Sequence, residues 1–225
     1  MRTLVFGGSG FLGSHVADAL TAAGHDVTIF DKQKSPYLQV NQKMIVSDIL
    51  DQADVEEAVR EADYVYNFAG IADIAEASKS PFETIKMNII GNALILEACR
   101  QSSIKRYVFA SSLYVYSQSG SFYRSSKQSC ELIIENYHEM YKIPYTILRY
   151  GSLYGPRAND HNPIYRFIKQ ALMENKITRF GDGEELREYI HVLDAARGSV
   201  SILEKQYEGQ NIIITGHQQM RMKDL

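Results

Sequence analysis

A tyrosine and a lysine four residues apart occur twice in the chain, and either pair could carry acid–base chemistry. The first pair is Tyr123 and Lys127, and the second is Tyr165 and Lys169. Residues i and i+4 share one face of a helix, so each lysine can lie near its tyrosine. A neighbouring ammonium favours the phenolate and makes a better base of a group whose ordinary pKa is ~10. Spacing alone does not decide between the two pairs.

Short apolar segments alternate with helical patterns over residues 1–150. We predict strands at 3–6, 26–31, 43–48, 63–70, 105–112 and 145–151, and helices at 11–23, 52–61, 81–101 and 121–141. This alternation is typical of a parallel sheet whose two faces are both covered by helices. The sequence therefore predicts the α/β class with a doubly wound parallel sheet, the Rossmann architecture.

The pattern changes after Tyr150. A loop rich in Gly, Asn and Pro precedes a predicted helix at 164–175, a turn at 181–185 and a strand at 188–192. We predict a Rossmann domain over 1–150, to which 187–203 returns. We expect a small C-terminal substrate-binding lobe, present only in part, to consist of 151–186 and 204–225.

A glycine-rich turn follows the first predicted strand. Gly7, Gly10 and Gly13 have the spacing G-x-x-G-x-x-G at the start of a helix, where the backbone can approach a pyrophosphate. Asp31 ends the second strand, 18 residues past Gly13, close to where an acidic residue binds the adenosine ribose. The alternative is that Asp31 only begins a turn. Asp48 ends the third strand, where it would meet the adenine.

The position in the fold favours the first tyrosine pair. Ligands of a doubly wound sheet bind at the carboxyl ends of the strands, and Tyr123 follows the strand that ends at Ser112. Tyr165 lies in the predicted lobe, away from the glycine turn in chain order. We therefore predict that Tyr123 and Lys127 carry the chemistry and that Tyr165 is a packed aromatic residue.

Composition and charge narrow the class of protein. The chain has 225 residues and a net charge of −3, and it contains no Lys/Arg-rich run typical of a nucleic-acid binder. No stretch approaches the ~18 apolar residues of a membrane span. Cys99 and Cys130 lack metal-binding spacing, and two reduced thiols are expected rather than a single disulfide. We expect a cytoplasmic protein with no metal site.

Seven segments together resemble the extended short-chain dehydrogenase/reductases, within their NAD-dependent nucleotide-sugar epimerase/dehydratase family. The resemblance runs along the whole chain, and its motifs occur in the family's order. They are "GGSGFLG" (7–13), "NFAG" (67–70), "MNIIGN" (87–92), "FASSLYVY" (109–116), "YRSSK" (123–127), "LRYGSLYGPR" (148–157) and "GDGEELREYIHVLD" (181–194).

The resemblance implies a role for individual residues. Tyr123 matches the catalytic tyrosine, Lys127 its partner lysine, and Ser112 the Ser/Thr that hydrogen-bonds the sugar hydroxyl. Arg187 matches an arginine that binds the substrate diphosphate, a role that suits its bidentate fork. Asn88 matches a helix asparagine that is mostly structural.

We also expect NAD as the cofactor, with a nucleotide-diphosphate sugar as the substrate and a homodimer as the assembly. Relatives form their dimer through the helices that correspond to 81–101 and 121–141. The residues expected to bind the cofactor are Gly7, Gly10, Phe11, Leu12, Asp31, Lys32, Asp48, Ile49, Phe68, Ala69, Gly70, Tyr123, Lys127 and Tyr150. Asp31 favours NAD over NADP, although the adjacent Lys32 would soften that preference.

The chain departs from the family's pattern in three places. Only "SQSGSF" separates Tyr116 from Tyr123, where many relatives carry a longer loop with substrate contacts. The 4,6-dehydratases of the family place an Asp-Glu pair directly after the catalytic Ser/Thr, and here those positions are Leu113 and Tyr114. Relatives also continue beyond the point where this sequence stops. Two explanations of this difference stay open: the chain is truncated, or its lobe is unusually small.

The resemblance implies oxidation at C4 of the sugar, with Tyr123 taking the hydroxyl proton, Ser112 aligning the hydroxyl and hydride passing to NAD. Without the Asp-Glu pair, we expect the chemistry to stop at C4. Return of hydride to the other face gives a 4-epimerase, the expected outcome, and release of the ketone gives a 4-dehydrogenase. A non-catalytic dinucleotide-binding sensor is the alternative from a different class, but such proteins usually lack the tyrosine–lysine pair.

Overall fold

A computed structural model of the chain describes residues 1–179 and 181–225 and contains a seven-stranded sheet. The strand order is β3-β2-β1-β4-β5-β6-β9, and every neighbouring pair is parallel. These strands are β1 (Arg2–Phe6), β2 (Asp26–Asp31), β3 (Lys43–Val46), β4 (Tyr64–Asn67), β5 (Arg106–Ser112), β6 (Tyr145–Tyr150) and β9 (Gln210–Ile214). The order changes direction at β1, which creates the crevice where doubly wound folds bind ligands.

Helices cover both faces of this sheet. The helices that the structure describes are α1 (Phe11–Ala22), α2 (Gln52–Arg60), α3 (Ile74–Lys79), α4 (Pro81–Thr84), α5 (Gly91–Arg100), α6 (Ser121–Tyr141), α7 (Pro163–Glu174) and α8 (Val192–Ser201). Those that supply the cores against the sheet are α1, α2, α5, α6 and α8. A π-helix (Ile85–Ile90) joins α4 to α5, and 3₁₀-helices occupy Leu113–Tyr116 and Lys205–Tyr207.

The sheet separates two hydrophobic cores. Successive side chains of a strand point to opposite faces, and in β1 the side chains of Leu4 and Phe6 enter one core while Val5 enters the other. The first core is closed by α2, α5 and α6, and the second by α1 and α8. This confirms the predicted doubly wound fold.

The segments after Tyr150 are divided between the Rossmann domain and a small sheet. We expected 187–203 to return to the Rossmann domain, and α8 does pack in its second core, whereas β8 (Leu186–His191) pairs with β7 (Ser152–Tyr154) and β10 (Gln219–Arg221) in a small sheet. We expected 204–225 to belong to the lobe, but β9 forms the edge strand beside β6. Its run of isoleucines suits that place, because Ile214 is buried in the second core. The division into two domains stays a prediction.

Both cysteines are free and buried. Among the residues that the structure describes, no helix is both long enough and apolar enough to cross a membrane.

Candidate active site

Two adjoining pockets open at the carboxyl ends of the strands. The first, of about 270 Å³, lies over the glycine turn and the ends of β2 and β4. The second, of about 480 Å³, lies over the ends of β5 and β6 and reaches β8. Ala72 lines both pockets, so a molecule bound in one can contact a molecule bound in the other.

The backbone of the glycine turn fits a pyrophosphate. Gly7 has a φ of +73°, and a side chain there would place its Cβ 2.6 Å from the backbone of Phe68 and Ala69. The turn therefore lies directly against the end of β4. Gly10 then starts α1 without a side-chain cap, and in the described chain no protein group accepts the backbone N–H of Phe11 or Leu12. Unpaired N–H groups at a helix N-terminus bind phosphate oxygens.

Acidic residues line the adenosine side of this pocket. The Asp31 carboxylate accepts the backbone N–H of Ser9 and of Gln33, each at 3.0 Å, so it is fixed against the glycine turn as well as starting a turn of its own. Asp48 accepts the N–H of Leu50 at 2.9 Å. Nine of the residues expected to bind the cofactor line the pocket: Gly7, Gly10, Asp31, Lys32, Asp48, Ile49, Phe68, Ala69 and Gly70. The side chains of Phe11 and Leu12 do not.

The second pocket brings together Ser112, Tyr123 and Arg187, which are far apart in the sequence. Ser112 is the last residue of β5, Tyr123 lies in the first turn of α6, and Arg187 lies on β8. Tyr150, expected to bind the cofactor, also lines this pocket, and its hydroxyl is bonded to Ser199 Oγ at 2.6 Å. The Tyr150 phenol is therefore held by α8.

Burial controls the proton affinities of the tyrosine–lysine pair. It raises the pKa of the Tyr123 phenol, and a hydrogen bond with Ser112 opposes that shift. It lowers the pKa of Lys127, whose Nζ donates to the Ala110 carbonyl at 2.7 Å and lies 5.9 Å from the Tyr123 ring centre. We expected Lys127 to lower the pKa of Tyr123, but in this structure the pKa is raised by the loss of solvent around the phenol, and only the hydrogen bond with Ser112 lowers it.

The second tyrosine–lysine pair lies on the surface of α7. Lys169 Nζ bonds the Asp160 carboxylate at 2.8 Å and lies 5.8 Å from the Tyr165 ring centre. Neither residue lines the two pockets. Tyr165 is 39% exposed and therefore not the packed aromatic residue that we expected, because α7 buries none of its side chains. The choice of Tyr123 over Tyr165 stays a prediction.

Asn88 holds the wall that the two pockets share. Its amide accepts the N–H of Ile71 at 2.7 Å and donates to the Ile71 carbonyl at 3.0 Å and to Ser126 Oγ at 2.9 Å. Asn88 lies within the π-helix, a distortion that is frequent at functional sites. The segment at 70–72 is thereby tied to α6, three residues beyond Tyr123.

Sequence reasoning missed a buried ion pair beside the second pocket. Arg149 donates two hydrogen bonds to Glu131, with Nε–Oε1 at 3.0 Å and Nη2–Oε2 at 2.6 Å, and a third to the hydroxyl of Tyr116. Ser111 also donates to Glu131. The network joins the ends of β5 and β6 to α6. One signal was available: Glu131 follows Lys127 by four residues and therefore shares its helix face.

The two pockets define a class of protein. A Rossmann fold whose dinucleotide pocket adjoins a Ser/Tyr/Lys site is the arrangement of a short-chain dehydrogenase/reductase. The model of the "NAD dependent epimerase/dehydratase family" matches residues 3–215, and the chain belongs to this family. It is an enzyme of the extended short-chain dehydrogenase/reductase type, with NAD as its cofactor.

Characterised relatives and solved structures are similar along the full chain. The UDP-glucose 4-epimerase of Thermotoga maritima, solved with UDP-glucose, has a TM-score of 0.93 at 28% identity. The UDP-glucuronic acid 4-epimerase of Bacillus cereus, solved with UDP-glucuronic acid and NAD, has a TM-score of 0.92 at 31% identity. Each comparison covers 100% of this chain and 80% of the other. The UDP-N-acetyl-alpha-D-glucosaminuronate decarboxylase of Bacillus cytotoxicus is 31% identical over 250 residues, covering 100% of this chain and 78% of the relative.

Among residues 1–179 and 181–225, no group of three His, Cys, Asp or Glu side chains could hold a metal ion.

Proposed function

We propose that this enzyme oxidises C4 of a nucleotide-diphosphate sugar and acts as a sugar-nucleotide 4-epimerase. The observation that carries the proposal is the joined pair of pockets. Ser112 and Tyr123 line the second pocket, and Ala72 forms a wall common to this pocket and the dinucleotide pocket. A sugar carbon beside Tyr123 is thereby placed next to the cofactor site.

The chain supplies the proton chemistry. Ser112 Oγ hydrogen-bonds the C4 hydroxyl and aligns it with Tyr123, which removes the hydroxyl proton and later returns it. Lys127 holds its ammonium beneath the tyrosine ring by bonding Ala110, where its charge attracts the phenolate. NAD, when bound, supplies the hydride acceptor and then the hydride donor.

We assign the binding of the substrate diphosphate to Arg187. It lies in the second pocket, and its guanidinium forms no salt bridge with any carboxylate of the described chain. Guanidinium groups bind phosphate oxygens through two parallel hydrogen bonds. The two solved epimerases described above contain UDP-sugars, which makes UDP the first nucleotide to test.

The choice of reaction rests on the residues beside Ser112. Elimination of water from C5 and C6 needs an acid and a base, and Leu113 supplies neither. In addition, no carboxylate occurs between Ser112 and Tyr123. Epimerisation is further supported by the two solved structures, both of 4-epimerases. A 4-dehydrogenase that releases the ketone is the second candidate, and the intact Tyr123–Lys127 pair argues against a non-catalytic sensor.

A panel of nucleotide sugars tests the proposal. Purified protein with NAD is incubated with UDP-, GDP- and dTDP-hexoses, and NADH absorbance and product mass are recorded. An epimerase gives a product of unchanged mass with no lasting NADH signal, whereas a dehydrogenase accumulates NADH. Loss of one water from any substrate would overturn the argument from Leu113 and Tyr114.

We also infer a homodimer built from the helices at 81–100 and 121–141. Large apolar side chains on these two segments are exposed in the single chain: Phe82, Ile85, Ile90, Phe122 and Leu132. The two segments also pack against each other, and exposed large apolar side chains on neighbouring helices suit an interface. Light scattering at micromolar concentration tests the inference, and a monomer would contradict it.

A cytoplasmic location is inferred from the two free thiols, because secreted chains more often pair their cysteines. Fractionation of the source cells, followed by immunodetection, tests this inference.

A further inference from the structure

Tyr114 lies between the two groups expected to handle the two ends of the substrate. Its ring meets the Tyr123 ring edge-on, with the centroids 6.2 Å apart. The Arg187 guanidinium lies 5.5 Å from the centre of the same Tyr114 ring. All three residues line the second pocket. The Tyr114 ring therefore contacts both Tyr123, the proposed base, and Arg187, the residue proposed to bind the substrate diphosphate.

The short loop before α6 fixes the position of this ring. Gly120 has a φ of +109°, and a side chain there would place its Cβ 3.0 Å from Tyr114 Cδ1. Arg124 reaches back to donate to the Ser117 carbonyl at 2.7 Å, which closes the loop over 117–120. The close approach of Gly120 to the ring therefore depends on this six-residue connection between Tyr116 and Tyr123.

The hydroxyl is the part of Tyr114 that remains available. Within residues 1–179 and 181–225, no protein atom forms a hydrogen bond with the Tyr114 hydroxyl. The hydroxyls of Tyr116 and Tyr150, which line the same pocket, are both hydrogen-bonded to protein. A phenol both donates and accepts, so it suits a sugar oxygen of either kind. Tyr114 and Tyr123 line the same pocket with their rings in contact, so a sugar bound beside Tyr123 lies next to Tyr114 as well.

We propose that Tyr114 is a specificity-determining residue, whose hydroxyl bonds a sugar oxygen on a carbon near C4 and whose ring holds Arg187 at the diphosphate. The proposal rests on the function proposed above and adds a contact to it. It also separates the two parts of the side chain. The hydroxyl recognises the hexose, and the ring serves the nucleotide end through a cation–π contact.

Calorimetry on the NAD-loaded protein tests both parts. The ligands are UDP and UDP-glucose, and the variants are Tyr114→Phe, Tyr114→Leu and, as the matched control, Tyr165→Phe. Tyr114→Phe keeps the ring and removes the hydroxyl. It should lower the affinity for UDP-glucose by roughly three- to tenfold, the value of one hydrogen bond, and leave the affinity for UDP unchanged. Tyr114→Leu should weaken both ligands, while Tyr165→Phe should change neither.

Deoxy analogues identify the contacted oxygen. Either 3-deoxy or 6-deoxy UDP-glucose should bind the wild-type protein more weakly than UDP-glucose does, and that difference should vanish in Tyr114→Phe. Equal affinity of wild type and Tyr114→Phe for UDP-glucose would overturn the role of Tyr114 and leave the proposed function standing. Failure of the wild type to bind UDP-, GDP- and dTDP-hexoses alike, while binding NAD, would count against both.

Discussion

Replacement of Asn88 tests whether the wall between the two pockets is held as the structure indicates. The Asn88 side chain is buried and makes three hydrogen bonds, two of them to the backbone of Ile71. Asn88→Ala leaves an N–H, a carbonyl and the Ser126 hydroxyl with reduced hydrogen bonding. The loss should be roughly 2–4 kcal/mol, since each unsatisfied buried group costs about 1–3 kcal/mol and Ile71 retains some access to water. For a protein with about 5–15 kcal/mol of total stability, this is a large fraction.

The effect should also reach the cofactor. Gly70 and Ile71 line the dinucleotide pocket, and the Asn88 carboxamide bonds the N–H and the carbonyl of Ile71. Urea unfolding measures the stability, and calorimetry measures NAD affinity, which should fall in parallel. Asn211→Ala is the matched control, because exposed Asn211 makes one bond, to Glu135 at 3.1 Å. If the free energy of unfolding of Asn88→Ala lay within about 0.5 kcal/mol of the wild-type value and its NAD affinity were unchanged, the positioning role of Asn88 would be refuted.

Three further predictions concern the proton, the cofactor and the thiols. Tyr123→Phe should retain NAD and lose about 10²–10⁴-fold in turnover, while Tyr165→Phe should stay near the wild-type rate; similar rates in both would remove Tyr123 as the base. Asp31 should repel a 2′-phosphate, so calorimetry should show tighter binding of NAD(H) than of NADP(H), and the reverse order would mean that a cation dominates. Burial raises the pKa of Cys130 to about 12 and also raises that of Cys99. At pH 8 only about one Cys130 thiol in ten thousand is then a thiolate, so a thiol reagent should modify both cysteines only after unfolding; rapid reaction of the folded protein would contradict their burial.

The large sheet was predictable because its strands are buried on both faces. A strand in that position is a nearly continuous apolar run, as in Leu4–Phe6, and the helices between the strands follow their own periodicity. The glycine turn and Asp31 could be placed for the same reason, since each directly follows a strand. The β3 strand was predicted to end at residue 48 but ends at Val46, so the prediction was wrong only in the position of this boundary.

Pairings between distant segments were not predictable. Nothing local in β8 distinguishes a strand of the small sheet from a strand of the large one, because that choice depends on β7 and β10. The predicted helix at 81–101 is interrupted by the π-helix, whose apolar spacing resembles that of an α-helix over so short a length. The contact of Tyr114 with Arg187 joins positions 73 residues apart (187 minus 114), and no periodicity records it.

The position of a deuterium label tests the central claim most directly. UDP-glucose carrying deuterium at C4 is incubated with the NAD-loaded protein, and the products are followed by NMR. Oxidation and reduction at C4 in one closed site predict that the C4 epimer forms and that deuterium remains on C4. Loss of the label to solvent, or the absence of a C4 epimer when the protein binds both NAD and UDP-glucose, would contradict the account.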